Sequence, residues 1–190
     1  MAGQMDIPKW RVTASSYVVQ TSFLRLRKDS IELPDGTHIE DYYVREGRGF
    51  SVVFALTPDR EVVLVRQFKY GAGRIMLELP GGLVDEGEDP AESAARELSE
   101  ETGYVAKRIE FVRSFATEPS NSQTRMHLFI ARDARKETAQ RLDPTEAIEV
   151  ELCPLDALRN LVGTGAIESM GQVAAIYSVL DSMASLNLKE

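Results

Sequence analysis

The chain has 190 residues, 43% of them hydrophobic and 27% charged, which is ordinary for a globular protein of one domain or one domain with an appendage. Its net charge of −8 disfavours a nucleic-acid backbone as the main partner, because neutralising phosphates needs a basic surface. The one cysteine, Cys153, excludes an intrachain disulfide and is expected to be a buried small side chain. With neither a signal-peptide pattern nor a membrane span in the sequence, we expect a cytoplasmic protein without a membrane partner.

Residues 11–45 follow a β pattern. Apolar and polar side chains alternate in FLRLRKDSIEL, the triplet Pro34-Asp35-Gly36 predicts a turn, and HIEDYYVRE returns as a second strand. A small antiparallel sheet of this kind cannot bury both of its faces alone. We therefore expect an appendage over residues 1–46 and a main domain over residues 47–190.

The main domain alternates strands with helices. Strands are predicted for the runs FSVVFAL, EVVLVRQFK, IMLELPGG, VAKRIEFVRSFA, RMHLFIAR and IEVELCPL. Two helices are predicted at the end, over PLDALRNLV and SMGQVAAIYSVLDSMASL. The charged stretch RDARKETAQRLDPTEA has few apolar residues and is expected to be a long mobile loop.

A further helix is predicted within GLVDEGEDPAESAARELSEETGY, residues 82–104. Asp89 is a good N-cap, Pro90 suits the first helical position, and Gly103 supplies the stop. On this helix Glu97 lies three residues before Glu100 and four before Glu101, so the three carboxylates share one side.

An ordinary solvated helix is not expected to hold these carboxylates together. Like charges at this spacing repel, and the helix dipole disfavours anions in the last turn. Three oxygen donors beside a Gly-Gly turn suit a hard divalent cation such as Mg²⁺ or Mn²⁺.

This stretch resembles the signature of the Nudix hydrolases, G-x5-E-x7-R-E-U-x-E-E-x-G-U, where U is aliphatic. The matching residues are Gly82, Glu88, Arg96, Glu97, Leu98, Glu100, Glu101 and Gly103. Tyr104 departs from the pattern by being aromatic, which we expect to affect packing rather than chemistry. The flanking motifs VLVRQFKYG, LELPGG, SFATEPSNSQTRMHLFIA and EAIEVELCPLDAL resemble the ADP-ribose and nucleotide-sugar pyrophosphatase branch.

The resemblance implies an α/β fold, the Nudix α/β/α sandwich with a mixed sheet, preceded by a small N-terminal antiparallel sheet. In this family such a sheet is often exchanged between subunits, so a homodimer is expected. The implied activity is metal-dependent hydrolysis of the pyrophosphate bond of a nucleoside diphosphate sugar. ADP-ribose would give AMP and ribose 5-phosphate.

The resemblance also implies roles for the signature residues. Metal binding, by Mg²⁺ or Mn²⁺, is assigned to Gly81 through its carbonyl and to Glu97, Glu100 and Glu101. Arg96 is expected to orient these glutamates, and it joins Glu100 in the catalytic set. Glu88 is expected to brace the loop, and Gly103 to end the helix.

Further residues are assigned outside the helix. Glu146, before IEV, matches the place of a loop glutamate that deprotonates the attacking water, and Asp143 is a weaker candidate. Substrate contacts are expected from Arg48, Arg66, Lys69 and Gly82.

Alternative functions remain open. One is a Nudix-fold module that senses ADP-ribose without cleaving it, which the intact glutamate set disfavours. Others are hydrolysis of GDP-mannose or another nucleotide sugar, removal of an RNA 5′ pyrophosphate, and isoprenoid diphosphate isomerisation. The acidic composition disfavours RNA, and Cys153 is poorly placed for an isomerase.

Overall fold

The structure is a computed structural model that describes residues 7–187, so the first six residues of the predicted appendage lie outside the described part. It divides into two compact units. The first unit is Met1–Gly47 together with Ala116–Thr124, and the second is Arg48–Phe115 together with Arg125–Glu190. The nine residues of Ala116–Thr124 are an addition to the first unit that the sequence did not indicate.

The first unit is built on an antiparallel sheet of three strands in the order β1-β2-β3. The strands are β1 (Arg11–Gln20), β2 (Arg25–Glu32) and β3 (His38–Glu46). Strand β1 adds to the two strands that the alternation identified. It is an edge strand, and nine of its ten residues are exposed.

The second unit is built on a mixed sheet of seven strands. These strands are β4 (Phe50–Leu56), β5 (Glu61–Lys69), β6 (Arg74–Glu78), β7 (Gly81–Leu83), β9 (Ile109–Ala116), β10 (Arg125–Arg132) and β12 (Ile148–Pro154). The order is β12-β5-β4-β10-β9, with β6 on β5 and β7 on β4. Strands β4 and β10 run parallel, whereas β5 is antiparallel to β4, β6 and β12.

Helices cover both faces of this sheet: α1 (Pro90–Thr102), α2 (Leu155–Gly163) and α3 (Met170–Asn187). Val53 and Val63 pack with Leu98 of α1, together with the aromatic Tyr104. The neighbouring residues on the same strands, with the opposite orientation, pack against α2 and α3. The predicted α/β/α layering with a mixed sheet is therefore confirmed. None of the described helices combines the length and apolar character that crossing a membrane requires.

Both ends of α1 are formed by the predicted residues. The Asp89 carboxylate accepts from the Ala91 N–H at 2.8 Å, and Glu92 completes a capping box. At the other end Gly103 has φ 74° and donates its N–H to Ser99 O at 2.9 Å.

The charged stretch 132–147 is more anchored than the sequence predicted. Within it β11 (Arg135–Lys136) pairs with β8 (Tyr104–Val105). The N–H groups of Glu137 and Thr138 then donate to Gly103 O at 3.0 and 3.1 Å. The first half of the stretch is therefore attached to the C-terminal end of α1.

Candidate active site

The Arg96 guanidinium is the centre of a polar cluster on α1. It donates to both Glu88 oxygens, from Nε at 2.8 Å and from Nη2 at 3.0 Å. Its Nη1 donates to Glu97 Oε1 at 2.7 Å and to Glu100 Oε2 at 3.2 Å. The bond with Arg96 holds the pKa of Glu88 down to about 2, and the same bond raises the pKa of Arg96. One cation thus orients three carboxylates.

Glu101 is the deeply buried member of the signature, with 3% of its surface exposed. Its Oε2 accepts from the Gly81 N–H at 2.8 Å. The pKa of Glu101 is raised to about 8, chiefly by burial; the bond from Gly81 opposes this rise, and the charges of Glu97 and Glu146 add to it. The metal-free site therefore favours the protonated acid near neutral pH.

The glycine turn leaves room for the second carboxylate. A Cβ atom at Gly82 would lie 2.4 Å from both Cδ and Oε1 of Glu97, so a side chain there would displace the carboxylate. Burial also raises the pKa of Glu97. Gly81 and Gly82 therefore lie directly against Glu101 and Glu97.

The signature carboxylates do not converge on one point in this arrangement. Across residues 7–187, no three acidic, histidine or cysteine side chains are close enough together to hold a metal ion. Arg96 binds one oxygen of Glu97 and one of Glu100. The donor chemistry nevertheless fits a hard divalent cation, because Glu97 and Glu101 are carboxyls whose raised pKa a bound cation would lower.

Lys69 is held near Glu101 by a carboxylate that the sequence analysis missed. Lys69 Nζ lies 3.1 Å from Glu78 Oε2, and Glu78 is only 8% exposed. The positive charge of Lys69 opposes the raised pKa of Glu101. The signal for Glu78 was its alternation with the two core leucines of LEL, which places it on the opposite face of the sheet from them.

Arg48 and Arg66 lie in different surroundings. Arg48 Nη1 donates to Asp85 Oδ1 at 2.7 Å, within the signature loop. Arg66 pairs with Glu151, and its alternation along β5 places it on the same face as Leu64, away from α1. The structure therefore does not bring Arg66 to the signature carboxylates. Arg66 instead lines an open recess of about 510 Å³, whose walls include Phe68, Ile75 and Leu142.

Glu146 lies within electrostatic reach of the α1 carboxylates, because its charge contributes to the raised pKa of both Glu97 and Glu101. Its own carboxylate is tied back locally, since Oε2 accepts from the Asp143 N–H at 3.0 Å. The Glu146 N–H donates to Asp143 O at 2.9 Å. The two residues therefore close a tight turn.

Comparison with known proteins gives two matching family models. Residues 45–170 match the NUDIX domain family, and residues 10–44 match the nucleoside diphosphate sugar hydrolase N-terminal domain. The methanol dehydrogenase activator of Bacillus methanolicus is 34% identical over 156 residues, covering 81% of this chain and 84% of that protein. The ADP-ribose pyrophosphatase of Bacillus subtilis (strain 168) is 32% identical over 151 residues, covering 78% and 81%.

The fold is similar to that of an ADP compounds hydrolase solved by crystallography, with a TM-score of 0.86 at 22% identity, covering 96% of this chain and 98% of that one. A mixed sheet between two helical layers, with a glycine turn against an acidic helix, is the architecture of a pyrophosphohydrolase of the Nudix type. The chain belongs to the Nudix family of hydrolases.

The raised pKa of Glu101 predicts a pH-dependent stability of the metal-free protein. Folded Glu101 keeps its proton up to about pH 8, whereas the unfolded side chain loses it near 4.5. The folded state therefore binds more protons in this window, so its contribution is full below pH 4.5 and is lost as pH rises towards 8. The slope is at most about 1.4 kcal/mol per pH unit.

Urea unfolding in EDTA at several pH values measures this slope. Glu101→Gln should flatten it, because glutamine does not titrate. The exposed signature-loop variant Glu86→Gln is the matched control and should keep the wild-type slope. Equal slopes in wild type and Glu101→Gln would show that Glu101 does not hold the proton.

Proposed function

We propose that this Nudix hydrolase cleaves the pyrophosphate bond of nucleoside diphosphate sugars, with ADP-ribose as the first substrate to test. The observation that carries the proposal is a pair of carboxyls, the half-buried Glu97 and the buried Glu101, held against the Gly81-Gly82 turn beside Arg96. The names of the Bacillus subtilis relative and of the N-terminal family support this substrate class. The products from ADP-ribose would be AMP and ribose 5-phosphate.

Glu97, Glu100 and Glu101, with the Gly81 carbonyl, are the proposed ligands of Mg²⁺ or Mn²⁺. A bound divalent cation would neutralise the pyrophosphate and stabilise the charge that develops in the transition state. Arg96 keeps Glu97 and Glu100 oriented through its hydrogen bonds. Glu88 anchors Arg96 to the signature loop and so acts through it.

Arg48 and Lys69 are the proposed contacts of the substrate phosphates. Each is now paired with a carboxylate, Asp85 and Glu78 respectively, and both cations are partly exposed. The Arg48–Asp85 pair is exposed and therefore weak, so an incoming pyrophosphate would displace it at little cost. Glu78 is buried, so Lys69 would contact the substrate while it keeps this carboxylate as a partner. Gly82 would allow the backbone to approach the substrate. Arg66 would reach only a substrate group that extends to the recess beside Phe68.

Glu146 is the proposed general base for the attacking water. Supporting this, its charge acts on Glu97 and Glu101, and its tie to the Asp143 N–H is a single hydrogen bond. Breaking that bond frees the carboxylate to accept a proton. Asp143 supplies backbone groups to the same turn and remains the weaker candidate.

A homodimer through the N-terminal sheet is proposed from the exposed edge strand β1. Val12 and Val18 are both 54% exposed on it, and Tyr17 is 45% exposed. Long edge strands with exposed apolar side chains are covered in stable proteins. With a reducing compartment suggested by the single cysteine, we propose the cytoplasm as location and no nucleic-acid partner.

Hydrolysis of ADP-ribose should require added Mg²⁺ or Mn²⁺ and should stop in excess EDTA. Glu97→Gln should lower kcat at least about 100-fold, because losing a metal ligand weakens the charge stabilisation of the transition state. Glu86→Gln, which makes the same chemical change at an exposed position, should keep full activity. The assay compares ADP-ribose, GDP-mannose and UDP-glucose by product analysis. Turnover in EDTA would contradict the proposal, and tight binding of ADP-ribose without turnover would indicate a sensing module instead.

Glu146→Gln should lower kcat by about two to four orders of magnitude and leave KM within several-fold, as expected for a lost general base. The acid limb of the pH–rate profile should flatten at the same time. Asp143→Asn is the control in the same turn and should matter much less. Near-normal turnover by Glu146→Gln would move the base to a signature glutamate or to a metal-bound hydroxide.

Light scattering should give a mass close to twice the 21.1 kDa of one chain at micromolar concentration. The double change Val12→Lys and Val18→Lys should shift the protein towards the monomer, because charge on an edge strand opposes pairing. Phe111→Lys, at an apolar residue of the second unit that is 60% exposed, is the control and should leave the dimer intact. A monomeric wild type would remove this proposal.

A further inference from the structure

One side chain closes the loop that carries Glu146. We call residues 141–147 the base loop; they run from Gln140 to the first residue of β12, Ile148. The amide nitrogen of Gln140 donates to Glu101 O at 2.6 Å and to Ile148 O at 3.1 Å. A primary amide has two hydrogens, so both bonds form at once. Gln140 therefore joins the two ends of the base loop to each other and to α1.

The contact on α1 is made where the helix needs partners. The last carbonyls of a helix have no N–H donors within the helix, and the last turn of α1, SEET, has no basic side chain to supply a donor. The Arg141 N–H donates to Glu100 O at 2.9 Å, and the Gln140 amide serves Glu101 O. Gln140 and Arg141, which we call the neck of the base loop, are thus attached to Glu101 and Glu100, whose side chains are proposed metal ligands.

The tip of the base loop, residues 143–146, forms a hydrogen-bonded turn. The two hydrogen bonds between Asp143 and Glu146 close the turn at 2.9 and 3.0 Å. Glu146 belongs to this turn, so its position depends on the position of the turn, and it lies two residues before Ile148. While the Gln140 hydrogen bonds hold the two ends of the base loop together, the turn that carries Glu146 can occupy few positions. Without these bonds the base loop has more conformations, which it must lose at each turnover.

We infer that Gln140 is a positioning residue, whose side-chain amide closes the base loop on the last turn of α1 and so sets where Glu146 stands relative to Glu97 and Glu101. The inference rests on the proposed role of Glu146 as base. A purely structural cap of α1 would affect folding without acting through Glu146, and this difference is measurable.

Gln140→Met tests the amide, because methionine keeps the length of the side chain and removes both donors. It should lower kcat about tenfold with KM within about twofold, since small misplacement of a catalytic group costs up to about 100-fold. Gln140→Lys restores a donor that suits a helix C-terminus and should recover most of the rate. The exposed Gln123 provides the matched control, and Gln123→Met should behave as wild type. A Gln140→Met enzyme with normal kcat would overturn the inference.

A double-mutant cycle shows whether Gln140 acts through Glu146. In the Glu146→Gln background the further change Gln140→Met should cause no additional loss of kcat, because the group being positioned is already gone. Losses that multiply would overturn the inference and leave the base assignment intact. A Glu146→Gln single variant near wild type would instead reject the base, and the inference would fall with it.

Hydrogen exchange of the metal-free protein gives a readout independent of activity. Amides of the base loop should exchange about tenfold faster in Gln140→Met, while those of the first three turns of α1 keep wild-type protection. Unchanged exchange in the base loop would overturn the inference. If Gln140→Met loses protection throughout α1, Gln140→Asn replaces it, because asparagine keeps the donors and shortens their reach. That variant should show the same local exchange and the same loss of kcat, and wild-type behaviour of a folded Gln140→Asn would count against the inference.

Discussion

The site depends on one guanidinium. Glu88, Glu97 and Glu100 all accept hydrogen bonds from Arg96, and without that cation three carboxylates would share one small region of a helix and its preceding loop. Like charges at helical spacing repel, so the cluster would otherwise weaken the helix that carries it. Arg96 offsets this repulsion, and its hydrogen bonds orient the three carboxylates. The bidentate bond to Glu88 also fixes the signature loop to α1, so the carboxylates of the helix keep a constant position relative to the loop.

The same electrostatic arrangement extends outwards from α1. Lys69 is neutralised by Glu78, Arg48 by Asp85, and Arg66 by Glu151. Glu97 and Glu101 differ, because burial rather than a partner dominates their pKa. The free protein therefore holds Arg48 and Arg66 in partly exposed, weak pairs, and burial disfavours the charged forms of Glu97 and Glu101. A substrate anion and a cation arriving together would meet complementary charges. The exposed pairs cost little to release, whereas leaving the buried Glu78 unpaired costs more.

Local signals explain what the sequence could predict. Helix α1 follows from Asp89, Pro90 and Gly103, which act within a few residues. Most strands of the larger sheet follow from their own apolar patterns, whereas the run IMLELPGG, predicted as one short strand, is divided between β6 and β7. Helical spacing alone predicts Glu97 and Glu100 on one side of α1, where both bind Arg96, but within residues 7–187 they do not converge with Glu101 on one point. The sheet face on which Arg66 lies was harder to predict, because the sequence does not say which set of alternate β5 residues faces α1.

Glu78 and Gln140 show why the rest was not predictable. Glu78 has a weak signal, one charge among core leucines, but its partner Lys69 is on another strand. Gln140 has no signal at all, because its acceptors are backbone carbonyls and any sequence supplies those. Side chains that act on distant backbone atoms leave no pattern of residue types.

The close approach at Gly103 divides the charged stretch into two parts with different freedom. A Cβ atom there would lie 2.2 Å from Thr138 O. The glycine that ends α1 therefore also leaves room for the segment around Thr138, which is distant in sequence. Residues up to Thr138 are thus bound to a fixed path over the helix end. Gln140 and Arg141 then attach to the last turn of α1, so the last of these attachments lies just before the segment that holds Glu146. A change in the length of that segment would move Glu146 relative to Glu97 and Glu101 and leave the signature helix unchanged.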